Sequence, residues 1–449
     1  MKIGLRTFLT VFLELHLSYM KQIFYRTLSF FNIIESKIAF YPTVLAFFGV
    51  FFAFFMMYLE NMGISKYLLD KAPALVVDNG NTALTILSAL ISGLISVIVF
   101  SFSMVMLLLS QASSNYSPRL LPGLISDKKH QIILGIYLST ILYNIFTLFS
   151  IQPTGDKYQL PGFAVLMGII GTVICLYAFI FFIHNISQSI QISNILERIY
   201  TESIGRLNTL VNKEKEHLQP FPDSEGWYKY YSKNNGYLQN ISYTNLINIC
   251  KEQETKLLIL PVKGIFVLQG IPVFQSRKEL DQDCVNKILN NFNFAREELI
   301  EDNYILGFKQ FTEIIVKAMS PGINDPGTAI NAIDYLTELF ALRMLKKDTN
   351  IIRQDEVPYL RIKTINFKDL LYQVLASIRT YCKHDITLAQ KLLIMLNYLL
   401  HQPTYNEDYK EAINLEIHTL LTDAKKAIDN ERDVEVLFTL AKNMKLQLP

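Results

Sequence analysis

A line of hydroxyl side chains follows one side of a long apolar segment, residues 82–118. From Thr82 to Leu109 no residue is ionisable, and the segment is long enough to cross a bilayer. Its hydroxyl residues recur at steps of three, four or seven, so an α-helix places them on one side. The members of this serine line are Thr85, Ser88, Ser92, Ser96, Ser103, Ser110 and Ser114.

The serine line has two interpretations. Small side chains let neighbouring helices approach closely and hydrogen-bond across the contact, and nearby Ala89, Gly93 and Ala112 favour this one. Alternatively, several copies of the chain surround a passage lined by hydroxyl groups, for ions or small solutes. Under either one, Ser88, Ser92, Ser96, Ser103 and Ser110 are the helix-contact or pore-lining residues. Serines alone do not separate the two.

The same helix is predicted to continue to Pro118, which cannot extend it. From Thr82 to Ser117 its length is about 54 Å, beyond the roughly 30 Å hydrocarbon layer. One end therefore projects into water or into a cytoplasmic domain. The end of the helix near Pro118 is called the junction here, and it consists of Gln111, Ser114, Ser117, Pro118 and Arg119. It is either a helix end anchored by arginine at the lipid headgroups, or a gate or joint to a soluble domain.

A second polar group lies in the loop 320–329, at Ser320, Asn324, Asp325 and Thr328. Asp325 is placed to cap a helix that begins at Pro326, the favoured first position for proline. The alternative is a ligand site, because free amides at a helix start attract anions, although Asp325 opposes a negative ligand.

Several kinds of chemistry lack their usual residues. The sequence has no phosphate-loop, dinucleotide, zinc-protease or hydrolase-elbow motif, and Cys382 with His384 is better explained as a helix end. The four cysteines have no metal-binding spacing, and a net charge of +2 does not favour nucleic acid. We therefore expect no catalytic residue, metal or cofactor. The sequence does not decide whether the protein is an enzyme, although the missing motifs argue against it.

Four segments have the length and polarity of membrane spans, at about 39–59, 82–110, 132–152 and 161–183. None carries Asp, Glu, Lys or Arg in its central part, which disfavours an ion-coupled transporter. Lys and Arg are more frequent before the first span and in the 111–131 loop, which places both termini in the cytoplasm. Residues 1–36 are predicted to form an interfacial amphipathic helix.

The predicted domains are a transmembrane domain at 37–187, a connecting helix and linker at 188–222, and a cytoplasmic α+β domain at 223–449. The last is expected to be mostly α-helical with a small β element. Its predicted strands are 236–242, 257–262 and 265–268, and its predicted helices are 243–251, 282–301, 306–319, 326–346, 367–383, 386–401, 406–429 and 431–445.

Two motifs resemble a known family. Gln111-Ala-Ser with Ser117-Pro-Arg-Leu-Leu121, and Ala318-Met-Ser-Pro-Gly-Ile-Asn-Asp-Pro with Thr328-Ala329, are similar to signatures of a bacterial predicted membrane protein family, domain-of-unknown-function family 2254. The resemblance implies a multi-pass protein of the bacterial inner membrane with a cytoplasmic C-terminal domain. It implies no reaction.

Together these patterns favour a homo-oligomeric, channel-like protein in the lipid bilayer, with a cytoplasmic regulatory domain. The alternative is a membrane-anchored sensor or scaffold that binds a ligand or partner at the 320–329 loop. The conducted or bound species, a small ligand or ion, is not identified by the sequence.

Overall fold

The computed structural model describes residues 39–115, 128–151, 161–213, 220–295 and 303–446. The chain divides into two compact units, with the main division after Gln191. The predicted interfacial helix at 1–36 and part of the linker predicted within 188–222 lie outside the described residues.

The first unit contains four helices that are long and apolar enough to cross a membrane, as predicted. They are α1 (Phe40–Asn61), α3 (Gly80–Asn115), α4 (Lys128–Phe149) and α5 (Gly162–Ser189). A short helix α2 (Ile64–Lys71) and a 3₁₀ turn (Pro73–Leu75) connect the first two of them. At 36 residues, α3 is about 54 Å long, so it exceeds the hydrocarbon thickness of a bilayer.

Glycines allow α1 and α4 to pack closely. A Cβ atom added at Gly49 would lie 2.3 Å from the carbonyl oxygen of Ser139, and one added at Gly135 would lie 2.5 Å from Leu45 Cδ1. Because lipid tails are as apolar as leucine, spans associate through such close packing rather than through hydrophobic burial. The contact between α1 and α4 therefore depends on these two positions having no side chain.

The second unit begins with α6 (Ile192–Lys213), predicted as a connecting helix. It packs against α9 (Ile305–Ala318) and α10 (Pro326–Arg343). A Cβ atom added at Gly307 would overlap the Ser203 hydroxyl, and the Tyr335 hydroxyl donates to Glu197 Oε2 over 2.8 Å. These contacts attach α6 to the helical part of its own unit.

The second unit also contains two β-sheets. One has the strand order β1-β5-β3-β8-β7 and the other β4-β2-β6. The strands are β1 (Tyr228–Tyr231), β2 (Gly236–Ile241), β3 (Leu257–Ile259), β4 (Phe266–Val267), β5 (Pro272–Ser276), β6 (Phe292–Ala295), β7 (Thr349–Gln354) and β8 (Val357–Lys363). Among these strands only β3 and β8 pair in parallel. The unit is thus a mixed helical and β domain.

The β part is larger than the sequence pattern predicts. The predicted helix 282–301 is correct at its start and wrong after Leu289, because α8 (Gln282–Leu289) ends early and β6 follows, paired with β2. No strand was predicted for β7 and β8, which form a hairpin. Asp355 and Glu356 at its turn have φ angles of 51° and 65°, the left-handed conformation of a two-residue hairpin turn.

The remaining helices lie close to their predicted bounds. They are α7 (Tyr243–Glu252), α11 (Phe367–Cys382), α12 (Ile386–Leu400), α13 (Asp408–Ala427) and α14 (Glu431–Asn443). An ion pair lies between α11 and α13, where Arg379 contacts Glu416 and both side chains are buried. Arg379 Nε also lies 3.3 Å from Asp423 Oδ2. Charges as buried as these are tolerated because they are paired.

Candidate functional site

The serine line lies on an exposed face of α3. Ser88, Ser92, Ser96, Ser103 and Ser110 are all exposed in the single chain. Two of their hydroxyls bond to the helix itself: Ser96 Oγ donates to the Ser92 carbonyl over 3.0 Å, and Ser103 Oγ to the Val99 carbonyl over 2.8 Å. The line is therefore not a contact between helices within the described part of one chain.

The other face of α3 packs inside the bundle. Leu87, Leu94 and Ser101 are almost completely buried there. At Gly93, beside the serine line, an added Cβ atom would meet nothing within 4 Å. Small side chains thus leave an open surface on one side of the helix, while the opposite side contributes to the core.

Of the junction residues, the structure describes the side chains of Gln111 and Ser114. Both are exposed, in the last turns of α3. Ser117, Pro118 and Arg119 lie outside the described residues. The role of this segment as a gate or joint stays a prediction.

The 320–329 loop contains the predicted helix cap. Asp325 Oδ1 accepts a bond from the Thr328 N–H over 3.1 Å, and its Oδ2 accepts one from the Thr328 hydroxyl over 2.6 Å. These bonds lower the pKa of Asp325, and they outweigh the opposing effect of burial. Pro326 occupies the first turn of α10, as predicted.

Ser320 and Asn324 complete the loop. The Ser320 hydroxyl donates to the Lys317 carbonyl over 2.7 Å, and exposed Asn324 has a left-handed backbone with φ of 50°. Local hydrogen bonds thus account for three of the four loop residues. The loop belongs to the second unit and the serine line to the first. A ligand role for the loop stays a prediction.

A second polar line, which was not predicted from the sequence, lies on α4. Seven side chains of this helix that carry a polar group are at least nine-tenths buried. One is Tyr143, and the other six form a polar seam that consists of His130, Gln131, Tyr137, Thr140, Asn144 and Thr147. They recur at mainly three, four and seven residues, the same helical period as the serine line. That spacing could have revealed them. Most of them are neutral amides and hydroxyls, which a pattern of charged residues does not detect.

The seam faces α3 and α5. His130 Nε2 lies 3.1 Å from Asn185 Nδ2 of α5, and the thiol of Cys175 lies 3.3 Å from the Thr140 hydroxyl. A Cβ atom added at Gly168 would lie 2.4 Å from Asn144 Oδ1, so α5 can pack against this amide only at a glycine. The seam is therefore part of the interior of the first unit.

Metal ligands and thiols were the remaining residue types with possible chemistry. The described residues contain no group of three or more His, Cys, Asp or Glu side chains that could hold a metal ion. In the second unit, burial raises the pKa of Cys250 and of Cys382 to about 12. Both thiols are thus protonated at neutral pH, and Cys382 is a poor nucleophile despite nearby His384.

Comparison with known proteins gives a family without a known activity. The profile of a family described as "Predicted membrane protein", a domain of unknown function, matches residues 35–398. An uncharacterized protein of Mycobacterium bovis and one of Mycobacterium tuberculosis are each similar to the chain, with 23% identity over 355 residues. The alignments cover 76% of this chain and 68% of each relative. No solved structure matches.

Proposed function

Because the chain belongs to this family of predicted membrane proteins, we propose that it is a homo-oligomeric, channel-like protein of the bacterial inner membrane. In this proposal the serine lines of several subunits meet and border a passage for small ions or solutes. Both termini lie in the cytoplasm, and the domain at 223–449 regulates the passage.

The observation that carries the proposal is the exposure of the whole serine line in the single chain. An apolar span that keeps five serines and Gly93 on one open face presents a shallow surface, which the backbone of a second helix can approach closely. The polar side chains of the seam, by contrast, are inside the chain. A contact between copies would bring the serine line into protein or water instead of acyl chains.

Cross-linking in native membranes tests the contact. We expect Ser92→Cys and Ser96→Cys to form disulfide-linked dimers on mild oxidation, because these positions approach their own copies in the assembly. The four native cysteines are buried and give a low background. Phe47→Cys, on a 73% exposed position of α1, is the matched control and stays monomeric. Equal cross-linking at all three positions would contradict the contact.

Ion flux then separates a passage from a mere contact. Vesicles that contain the purified protein should lose trapped potassium ions. Ser96→Leu should abolish this loss, because it replaces a hydroxyl with a bulky apolar group. If the vesicles show no potassium flux although their protein still cross-links at Ser92→Cys, the oligomer is present and the passage is excluded.

The alternative function is a sensor or scaffold that binds a ligand or partner at the 320–329 loop. It is favoured by one observation: the loop is exposed at Asn324 and Asp325, yet local hydrogen bonds already fix its conformation. A ligand, or an extract that contains a partner, should raise the unfolding temperature of the wild type but not that of Asp325→Ala. That result would support this alternative over the channel.

A further inference from the structure

Four large apolar side chains of the second unit are exposed on one short segment, which includes β4 and the turn that leads into β5. This apolar loop consists of Ile265, Phe266, Leu268 and Ile271, and each of them is between 49% and 56% exposed. Val267, which lies among them in the sequence, is buried in the core of the unit. Neighbouring apolar side chains that remain exposed often mark an interaction surface.

Backbone hydrogen bonds fix the apolar loop at both ends. The Gly264 N–H donates to the Leu238 carbonyl over 2.9 Å, and the Gly270 N–H donates to the Ser232 carbonyl over 2.9 Å. The two glycines have φ angles of 79° and 82°, the left-handed conformation that glycine adopts without strain. The fold therefore holds these apolar side chains in solvent in a fixed arrangement, although they contribute little to the core.

Tyrosines border the apolar loop. The Tyr237 ring packs edge-on against Phe266, with ring centroids 5.4 Å apart. Tyr231 is 52% exposed and pairs with Pro272, the residue that follows the loop. Tyrosine is enriched at the boundary between water and lipid, because its ring is apolar and its hydroxyl is polar.

The segments that form the loop and pair with it are basic. Residues 226–241 and 260–276 contain Lys229, Lys233 and Lys263 but no Asp or Glu. Lys229 and Lys233 are exposed. This charge is complementary to anionic lipid headgroups, which attract lysine side chains near a membrane surface.

A bilayer is also the binding partner that is always present. The chain contains four candidate spans, and α6 of the second unit begins at Ile192, shortly after the last span ends at Ser189. Lipid is therefore at a high effective concentration for a surface on the same chain, whereas a soluble partner is not. Apolar side chains bordered by tyrosine and lysine are the composition of segments that lie in a membrane interface.

We propose that the apolar loop inserts into the headgroup region of a bilayer that contains anionic lipids, and that Lys229 and Lys233 bind lipid phosphates beside it. The site goes beyond the proposed function, because it requires neither the serine line nor an assembly of several chains. It gives the second unit its own contact with lipid.

Quenching of a fluorescent label by lipid tests the insertion in the full-length protein, in bilayer discs that hold one chain each. Leu268→Cys is labelled with bimane in discs that contain phosphatidylglycerol and a lipid with a nitroxide quencher near the top of its acyl chain. Quenching should be several-fold stronger than at Leu415→Cys, the matched control, because Leu415 is 55% exposed on α13 of the same unit. Equal quenching at the two positions would overturn the proposal.

The electrostatic part is tested by charge reversal. Lys229→Glu combined with Lys233→Glu should reduce the quenching at Leu268→Cys toward the control level, and so should discs made of phosphatidylcholine without phosphatidylglycerol. Lys425→Glu combined with Lys426→Glu, at two exposed lysines of α13, should leave the quenching unchanged. Quenching that depends on neither the charge of the loop nor that of the lipid would exclude the binding of phosphates.

Discs that hold two chains distinguish lipid from a second copy of the protein. Insertion into lipid should give the same quenching at Leu268→Cys in discs with one chain and in discs with two. If the label is protected from iodide in water only when two chains are present, the loop is a contact between copies and the proposal is overturned.

Discussion

The serine line of α3 and the polar seam of α4 have the same helical spacing and opposite surroundings. The serines are exposed, while the seam is at least nine-tenths buried. Side-chain chemistry accounts for part of the difference, since the seam member Thr140 also bonds to its own helix, at the Ile136 carbonyl. A serine hydroxyl can bond to the carbonyl four residues earlier, as Ser96 and Ser103 do. The amide of Asn144 and the phenol of Tyr137 are not bonded in this way and need partners from elsewhere.

Polar groups of a helix can therefore be divided into those satisfied by their own helix and those that require a neighbour. The division extends to the second unit, where Asp325 is satisfied by its own helix start and Arg379 only by another helix. Substituting a polar group that requires a neighbour should destabilise the fold strongly. Substituting one that is satisfied by its own helix should destabilise it weakly, or should affect only assembly. Three predictions test this comparison.

The largest effect is expected at the buried ion pair. Arg379→Met leaves Glu416 buried without its cation, and should lower the free energy of unfolding by about 3–5 kcal/mol. Lys278→Met is the control, because its partner Glu254 has 84% of its side chain exposed, and such pairs contribute at most about 1 kcal/mol. Denaturant unfolding of the full-length protein measures both. Similar losses in the two variants would contradict the division.

A smaller effect is expected from two matched glycines. Gly168→Val inserts methyl groups against Asn144 and should destabilise the protein by about 1–3 kcal/mol, as overpacking does. Gly93→Val enters open space, so the unfolding temperature in detergent should stay within about 1 °C of the wild-type value. If the serine line is a subunit contact, Gly93→Val should still weaken cross-linking at Ser92→Cys. A large loss of stability in Gly93→Val would show that the open face is packed.

The smallest effect is expected at the helix cap. Asp325→Ala should destabilise by about 1 kcal/mol at neutral pH, while Asp325→Asn, which keeps a capping oxygen, should lose less. Because the folded-state pKa of Asp325 lies below its usual value, the carboxylate stabilises the protein above the unfolded-state pKa, and this contribution disappears as pH falls through the folded-state pKa. The unfolding curves of wild type and Asp325→Ala should therefore differ at neutral pH and coincide at acidic pH.

Local patterns allowed much of this fold to be predicted. Long apolar runs gave the four candidate spans, and Asp325 with Pro326 gave the start of α10, because both depend only on nearby residues. The helix predicted at 282–301 was too long because β6 is stabilised by pairing with β2, some fifty residues earlier. Long-range pairing is invisible to local periodicity. For the same reason β8, which pairs with β3, was not predicted.

The candidate sites divide in the same way. The spacing of the serine line was sufficient to place its members on one face, but not to tell whether that face is covered. The seam has equal spacing and could have been found by counting Asn, Gln, Tyr and Thr as well as charged residues. Its burial depends on Gly168 and Ser101 from other helices, which no pattern within α4 contains.

The parallel pairing of β3 with β8 has a consequence for synthesis on the ribosome. Leu257 to Ile259 pair with Leu360 to Ile362, about one hundred residues later in the chain. At roughly 5–20 residues per second, translation needs about 5–20 s to deliver that partner. During this interval one edge of the nascent sheet has open backbone groups, which invite pairing with other chains. A chaperone that binds extended segments would be most useful to this protein in that window.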